Sequence, residues 1–68
     1  MSTFDILYFV TIFGKPDSTV TTVHGEVTFR EWLESERTRI RTKSNWPVDI
    51  YTNPESREIA LVYLRPTK

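Results

Sequence analysis

The grouping of residues best suited to chemistry is a run of four basic side chains followed by an aromatic one. The residues are Arg37, Arg39, Arg41 and Lys43, with Trp46 after them. Guanidinium groups can clamp phosphate or carboxylate groups, and an indole ring beside them can stack on a base. At helical spacing, however, Arg37 and Arg41 fall on one flank and Arg39 and Lys43 on the other. The run therefore predicts either a patch for an anionic partner or a solvated helix end that complements the helix dipole.

No grouping of residue types predicts catalysis or metal binding. His24 is the single histidine and cysteine is absent, so a serine nucleophile has one candidate base and no thiolate site exists. Gly14 and Lys15 lack the upstream glycine of a phosphate loop, and Pro16 stands where that motif has a hydroxyl residue. We therefore expect a protein that is not an enzyme and that holds neither a cofactor nor a metal.

Length and charge narrow the possibilities further. The 68 residues predict a single domain over 1–68. A chain of this size buries only about 60% of the surface of its unfolded form, so its core is marginal. Nine basic side chains balance nine acidic ones, whereas nucleic-acid binders usually have a pI above ~9 or a clustered basic face. Zero net charge disfavours a nucleic-acid partner, because phosphate neutralisation supplies most non-specific affinity.

The apolar start of the chain does not predict a membrane segment. Residues 6–13 are far fewer than the ~20 needed to cross a bilayer, and no basic stretch precedes them as in a signal peptide. We expect no membrane insertion and a cytoplasmic location, although a chain without cysteine is compatible with any compartment.

Four segments rich in β-branched and aromatic residues predict strands: residues 3–13, 19–24, 48–52 and 57–65. The first and last are apolar on both faces, which is typical of central strands. In the first strand, alternation places Ile6 with Tyr8 on one face and Leu7 with Phe9 on the other. Gly, Pro, Asn and Asp between the segments predict turns.

One amphipathic helix is predicted over about 28–43. Thr28 and Glu31 form a capping box, in which each side chain satisfies the other residue's free backbone N–H. An apolar stripe at helical spacing follows, made of Phe29, Trp32, Leu33 and Ile40.

The sequence also predicts the surroundings of three further side chains in this region. Glu36 falls near the centre of the apolar stripe, and we expect it to reach water or Arg39; the alternative is a pair with an arginine from a strand or a partner. Trp32 is expected to pack between helix and sheet, and Trp46 to fill the core at the helix exit.

These elements predict an α+β fold with ββαββ chain order. The two doubly apolar strands become parallel neighbours in a four-stranded sheet of order 2-1-4-3, with an all-antiparallel meander as the alternative. One helix covers one face, so large side chains remain exposed on the other, where an apolar patch marks an interface. The residues of that predicted open face are Leu7, Phe9, Phe13, Ala60, Val62 and Leu64.

The sequence thus favours a small protein-binding module of the inhibitor or adaptor type, a kind often encoded by phages and mobile elements. Its predicted contacts are the apolar face, through Leu7, Phe9 and Phe13, and the basic helix end with Trp46. The partner is another protein or a second copy, and a homodimer is expected. The alternative is a nucleic-acid-binding module that uses the basic helix end and nearby aromatic rings.

Overall fold

Residues 3–67, the part of the chain described by the computed structural model, form one helix and five strands in two sheets. The elements are β1 (Thr3–Phe9), β2 (Thr19–Thr22), β3 (Gly25–Thr28), α1 (Phe29–Ser44), β4 (Val48–Thr52) and β5 (Ile59–Thr67). The predicted α+β class is confirmed. The predicted single four-stranded sheet is wrong, because the strands form sheets of three and two and their chain order is βββαββ.

The two-stranded sheet is a tight hairpin of β2 and β3. Gly25 has a φ of +106°, a conformation that glycine adopts without the penalty of a Cβ atom. The Thr22 hydroxyl accepts from the His24 N–H at 3.1 Å and donates to the Gly25 carbonyl at 2.8 Å. The chain therefore reverses at once, and β2 pairs with β3. The prediction that residues 19–24 pair with the first strand is wrong.

The three-stranded sheet has the order β1-β5-β4, and both pairings are antiparallel. The expectation that the first and last strands are neighbours is confirmed. Their predicted parallel orientation and the order 2-1-4-3 are wrong. Sequence analysis missed β3, which pairs with β2 in a separate sheet. In the three-stranded sheet, β5 runs antiparallel to β1 and β4 runs antiparallel to β5, so both run opposite to the predicted direction relative to β1.

The core lies between α1 and one face of β4 and β5. Leu33, Ile59 and Leu61 are fully buried. Partly buried apolar side chains pack against them, namely Phe29, Trp32, Ile40 and Ile50. The predicted helical stripe and the predicted position of Trp32 are both confirmed. Ala60 and Val62, on the other face of β5, are also buried, so both faces of this strand are covered, which explains its doubly apolar sequence.

The helix begins with the predicted capping box. Thr28 Oγ1 accepts from the Glu31 N–H at 3.1 Å, and Glu31 Oε1 accepts from the Thr28 N–H at 3.0 Å. The next free donor, the N–H of Phe29, donates to the Ser18 carbonyl at 2.7 Å, so the preceding loop is held against the helix start. Among the described residues no helix combines the length and the apolar character needed to cross a bilayer.

The segment after β1 bulges away from β5 and returns to it. The Val10 N–H donates to the Leu61 carbonyl at 2.8 Å, and Gly14 pairs with Ile59. Between these points the buried N–H of Leu61 faces the bulging segment and donates its hydrogen bond to a side chain, Thr11 Oγ1, at 2.9 Å. A threonine hydroxyl thus replaces one bond of the β ladder.

The sheet face opposite α1 is less open than predicted. Ala60 is fully buried and Val62 is 1% exposed, so the expectation that they are solvent-exposed is wrong. Their cross-strand partners include Tyr51 and Phe9, which share that face. Phe13 lies between these two rings, at centroid distances of 5.0 Å from Phe9 and 6.1 Å from Tyr51. This row of three rings shelters the central strand without a second helix.

Candidate binding surface

A concave apolar site, here called the aromatic cradle, lies where the end of β1, the helix exit and the end of β5 meet. It has a volume of about 280 Å³ and is lined by Leu7, Tyr8, Trp46, Pro47, Tyr63 and Leu64. Leu7, Tyr8 and Trp46 each keep about half of their surface exposed. Large apolar and aromatic side chains are usually buried, so three of them exposed together are notable.

Three rings give the aromatic cradle its shape. The Tyr8 ring packs edge-on against Tyr63, with centroids 4.4 Å apart and an interplanar angle of 81°. Trp46 packs against the same Tyr63 ring at 5.1 Å and 82°. Two edge-on contacts thus meet on the one Tyr63 ring, and the three rings together line the concave site.

The backbone after α1 holds Trp46 at the rim. Asn45 ends the helix in the left-handed conformation, with φ 55°, and its N–H donates to the Arg41 carbonyl at 3.0 Å. The Val48 N–H then donates to the Trp46 carbonyl at 2.9 Å, which closes a three-residue turn centred on Pro47. Val48, not Trp46, is the fully buried residue at this point. The predicted burial of Trp46 in the core is wrong for this reason.

A second tie fixes the turn to the sheet. The Leu64 N–H, on β5, donates to the Pro47 carbonyl at 2.8 Å. The backbone carbonyls of Trp46 and Pro47 thus both accept hydrogen bonds within the domain. The backbone that carries the Trp46 indole is therefore constrained.

A β-bulge in β1 brings Tyr8 into the aromatic cradle. Ile6 pairs with Leu64, but Tyr8 pairs with Tyr63, so Leu7 is the extra residue. The bulge moves Tyr8 to the face of Tyr63 and moves Phe9 to the opposite face, beside Val62. Simple alternation had placed Tyr8 with Ile6, and that assignment is wrong.

The basic helix end is divided by ion pairs. Arg37 Nη1 lies 2.8 Å from Asp49 Oδ1, and Arg39 Nη2 lies 2.6 Å from Glu36 Oε1. The expectation that Glu36 reaches Arg39 is confirmed. This hydrogen bond and the charge of Glu36 raise the pKa of Arg39 above its ordinary value. Half of the predicted patch is therefore neutralised within the domain.

The other two cations of the run have no carboxylate partner. Within residues 5–65, neither Arg41 nor Lys43 forms an ion pair with any side chain, and both are exposed. They lie in the last turn of α1, and only Ser44 and Asn45 separate this turn from Trp46. The last turn of α1 therefore carries positive charge three and five residues before Trp46 in the chain, and the charge of Arg41 also helps to lower the pKa of Asp49.

Two titratable groups near these features are perturbed. Partial burial alone would raise the pKa of Asp49, but the hydrogen bonds from the Ile50 N–H and the Arg37 guanidinium outweigh it and lower this pKa. In the aromatic cradle, loss of hydration and the neighbouring Tyr8 hydroxyl raise the pKa of Tyr63. The raised pKa favours the neutral hydroxyl form of Tyr63.

The structure brings only some of the predicted site residues together. Leu7 and Trp46 meet in the aromatic cradle, whereas Phe9 and Phe13 lie on the opposite face and pack on each other. Sequence reasoning missed Tyr8 and the remaining members of the cradle. An exposed aromatic pair is not visible in the sequence until the bulge and the register of β1 on β5 are known.

No metal or catalytic constellation is found in the described part of the chain. Residues 3–67 contain no group of three His, Asp or Glu side chains placed to hold an ion. His24 is exposed in the β2–β3 turn. The concave site of this fold is lined by apolar and aromatic side chains.

Comparison with known proteins adds no relative. No protein-family model matches the chain, and no significant match was found among curated proteins or solved structures.

Proposed function

We propose that this protein is a non-catalytic protein-binding module that makes its main contact through the aromatic cradle. The observation that carries the proposal is the exposure of Tyr8 and Trp46, each about half exposed, on one constrained concave surface. Tyr and Trp are the residue types that most often dominate binding energy at protein interfaces. A rigid backbone lowers the entropy that such side chains lose on binding.

The exposed area sets the strength of the contact. An aromatic side chain buries about 150–250 Å² when covered, so half of Tyr8 and half of Trp46 together offer about 200 Å². At ~25 cal/mol per Å² this is about 5 kcal/mol before the costs of association. Even without those costs, about 5 kcal/mol corresponds to a dissociation constant of only ~0.2 mM, so the two rings anchor a weak, reversible complex and a tighter one needs further buried surface. We therefore propose an adaptor or inhibitor type of role with exchangeable partners.

The partner in this proposal is another protein or a second copy of the chain. Further apolar side chains are exposed outside the aromatic cradle: Phe9, half exposed, on the opposite sheet face, and Ile12, 87% exposed, in the segment after β1. A larger interface, including a homodimer, can use these side chains. The proposal places the protein in the cytoplasm and includes an origin in a phage or mobile element, both of which rest on composition and size.

Nucleic-acid binding is the second candidate, and one observation favours it. Exposed Trp46 stands next to the free cations Arg41 and Lys43, and an aromatic ring beside guanidinium groups can stack on a base. The pairing of Arg37 with Asp49 and of Arg39 with Glu36 weakens it. Two free cations release few counterions, so little non-specific affinity results.

Affinity capture with matched variants separates the two functions. Immobilised wild-type protein is compared with Trp46→Ser and with Val23→Ser, in nuclease-treated and untreated lysate. Val23 is 96% exposed in the β2–β3 turn, so it controls for the loss of any exposed apolar side chain. We expect the wild type to capture proteins whether or not the lysate is treated with nuclease. These proteins should be captured by Val23→Ser but not by Trp46→Ser. Retention that disappears with nuclease supports the nucleic-acid function, and equal capture by all three proteins contradicts both.

A further inference from the structure

We propose that the ligand of the aromatic cradle is a proline-rich segment in the polyproline II conformation with acidic residues beside it. This inference rests on the proposed protein-binding function and names the chemistry of the partner. Four features of the described residues support it: the spacing of the rings, the available hydrogen-bond donors, the constrained backbone and the charge next to the site.

The three rings lie within about the length of one turn of a polyproline II helix. This helix rises about 3.1 Å per residue with three residues per turn, so side chains on one ridge repeat every ~9 Å. Tyr8 and Trp46 both pack on Tyr63, at centroid distances of 4.4 Å and 5.1 Å. A concave aromatic site of this extent can receive a proline ring, as aromatic-lined grooves do for such segments.

The donors in the aromatic cradle suit the ligand's backbone. A polyproline II segment makes no internal hydrogen bonds, so its carbonyls need outside donors. Tyr8 and Tyr63 line the site, and the raised pKa of Tyr63 favours its protonated form, which can donate a hydrogen bond. Among the described residues the Trp46 indole N–H donates to no acceptor. An indole donor that is not engaged, at the rim of an apolar site, complements a carbonyl of the ligand.

Both partners of the complex lose little conformational freedom. The turn at Pro47 is held by two backbone hydrogen bonds, of 2.9 Å and 2.8 Å. A proline-rich segment is already extended before it binds, so its ordering cost is also low. This matters because the apolar area at the site is small.

Charge complementarity selects acidic rather than basic flanks. Arg41 and Lys43 lie in the last turn of α1, next to Trp46, and form no ion pair within residues 5–65. An acidic residue beyond the prolines can reach these cations. Exposed pairs of this kind contribute little each and are screened by salt, so the preference for acidic flanks is expected to weaken as salt rises.

Peptide titration of the ¹⁵N-labelled full chain tests the proposal. The probes are a blocked hexaproline flanked by glutamates, the same peptide flanked by lysines, a glutamate-flanked peptide with glycine and serine in place of proline, and oligothymidylate. We expect the acidic hexaproline to bind most tightly, with saturable shifts at Tyr8, Tyr63 and the Trp46 indole. Trp46→Ala and Tyr8→Ala are expected to weaken it about tenfold or more, whereas Val23→Ser leaves it unchanged.

The variants should keep the fold, because Val48 rather than Trp46 fills the buried position there; the spectrum of each variant verifies this. Replacing Arg41 and Lys43 with glutamine should remove the preference for glutamate flanks and leave hexaproline binding in place. Equal binding of the glycine–serine peptide, no saturable binding of either hexaproline, or tighter binding of oligothymidylate would overturn the proposal. Chemical-shift changes at these residues that depend on protein concentration and not on added peptide would show that a second copy of the chain occupies the aromatic cradle instead. If lysate proteins are still captured through Trp46 while every proline peptide fails, the protein-binding function stands and only the ligand class is wrong.

Discussion

Substitution of Thr11 tests whether its hydroxyl replaces a missing hydrogen bond of the β ladder on the central strand, β5. The Leu61 N–H is buried on β5, and its acceptor is Thr11 Oγ1 at 2.9 Å. Thr11→Val keeps the shape and β-branching of the side chain but removes this acceptor. Water cannot easily replace the hydroxyl, because Leu61 is fully buried. An unsatisfied buried donor costs about 1–3 kcal/mol, a large part of the stability of a small domain.

The measurement is urea unfolding, supported by hydrogen exchange at the Leu61 amide. With a slope near ~1 kcal/mol per molar urea, the midpoint should fall by about 1–3 M. Thr11→Ser keeps the hydroxyl and should retain most of the stability. Thr21→Val, on the exposed side of β2, controls for the substitution itself. An unchanged midpoint for Thr11→Val, with the Leu61 amide still protected, would show that the side chain does not replace a ladder bond.

Three further outcomes follow from the structure. Thr28→Ala removes the capping hydroxyl and should lower the free energy of unfolding by about 0.5–2 kcal/mol in urea; no change would contradict the role of the cap. The pKa of Asp49 is lowered in the folded state, so its stabilising effect is full above the unfolded value of about 3.8 and is lost as pH falls through the folded value. Wild type should therefore exceed Asp49→Asn in stability near neutral pH and lose that advantage in acid, and an advantage that persists in acid contradicts the pairing. The predicted homodimer should appear in light scattering as a mass that rises with concentration and falls for Trp46→Ser; a constant monomer mass would exclude it.

The sequence predicts those features of the fold that depend on neighbouring residues. The capping box and the apolar stripe of α1 follow from spacings of three and four residues, and both were placed correctly. β3 was missed because Gly-Glu-Val-Thr has weak strand propensity, and its partner is recognised only once Gly25 is known to adopt a positive φ. Without β3, the second predicted strand was assigned to the sheet of β1, and the separate β2–β3 hairpin was not foreseen.

The site was harder to predict because it depends on register. Leu7 and Trp46 were identified as contact residues, but their proximity requires the β1–β5 pairing. The basic run was recognised as one feature, yet Arg37 is paired with Asp49 across the edge of β4. Local spacing reveals the Arg39–Glu36 pair only. Long-range pairs of this kind have no signature in a single sequence.

The aromatic cradle is formed by the irregular parts of the backbone, not by the regular elements. The bulge at Leu7 turns Tyr8 toward Tyr63, and the left-handed cap at Asn45 with the turn at Pro47 directs Trp46 to the rim. A continuous strand would place Tyr8 on the other face. Bulges and left-handed positions are less favourable than regular structure unless other contacts fix them. Here the bulge, the left-handed cap and the turn at Pro47 all contribute to one exposed aromatic surface, whereas the core is built from α1, β4 and β5. Burying these rings would have added stability to a small domain, so their exposure supports the proposed binding role.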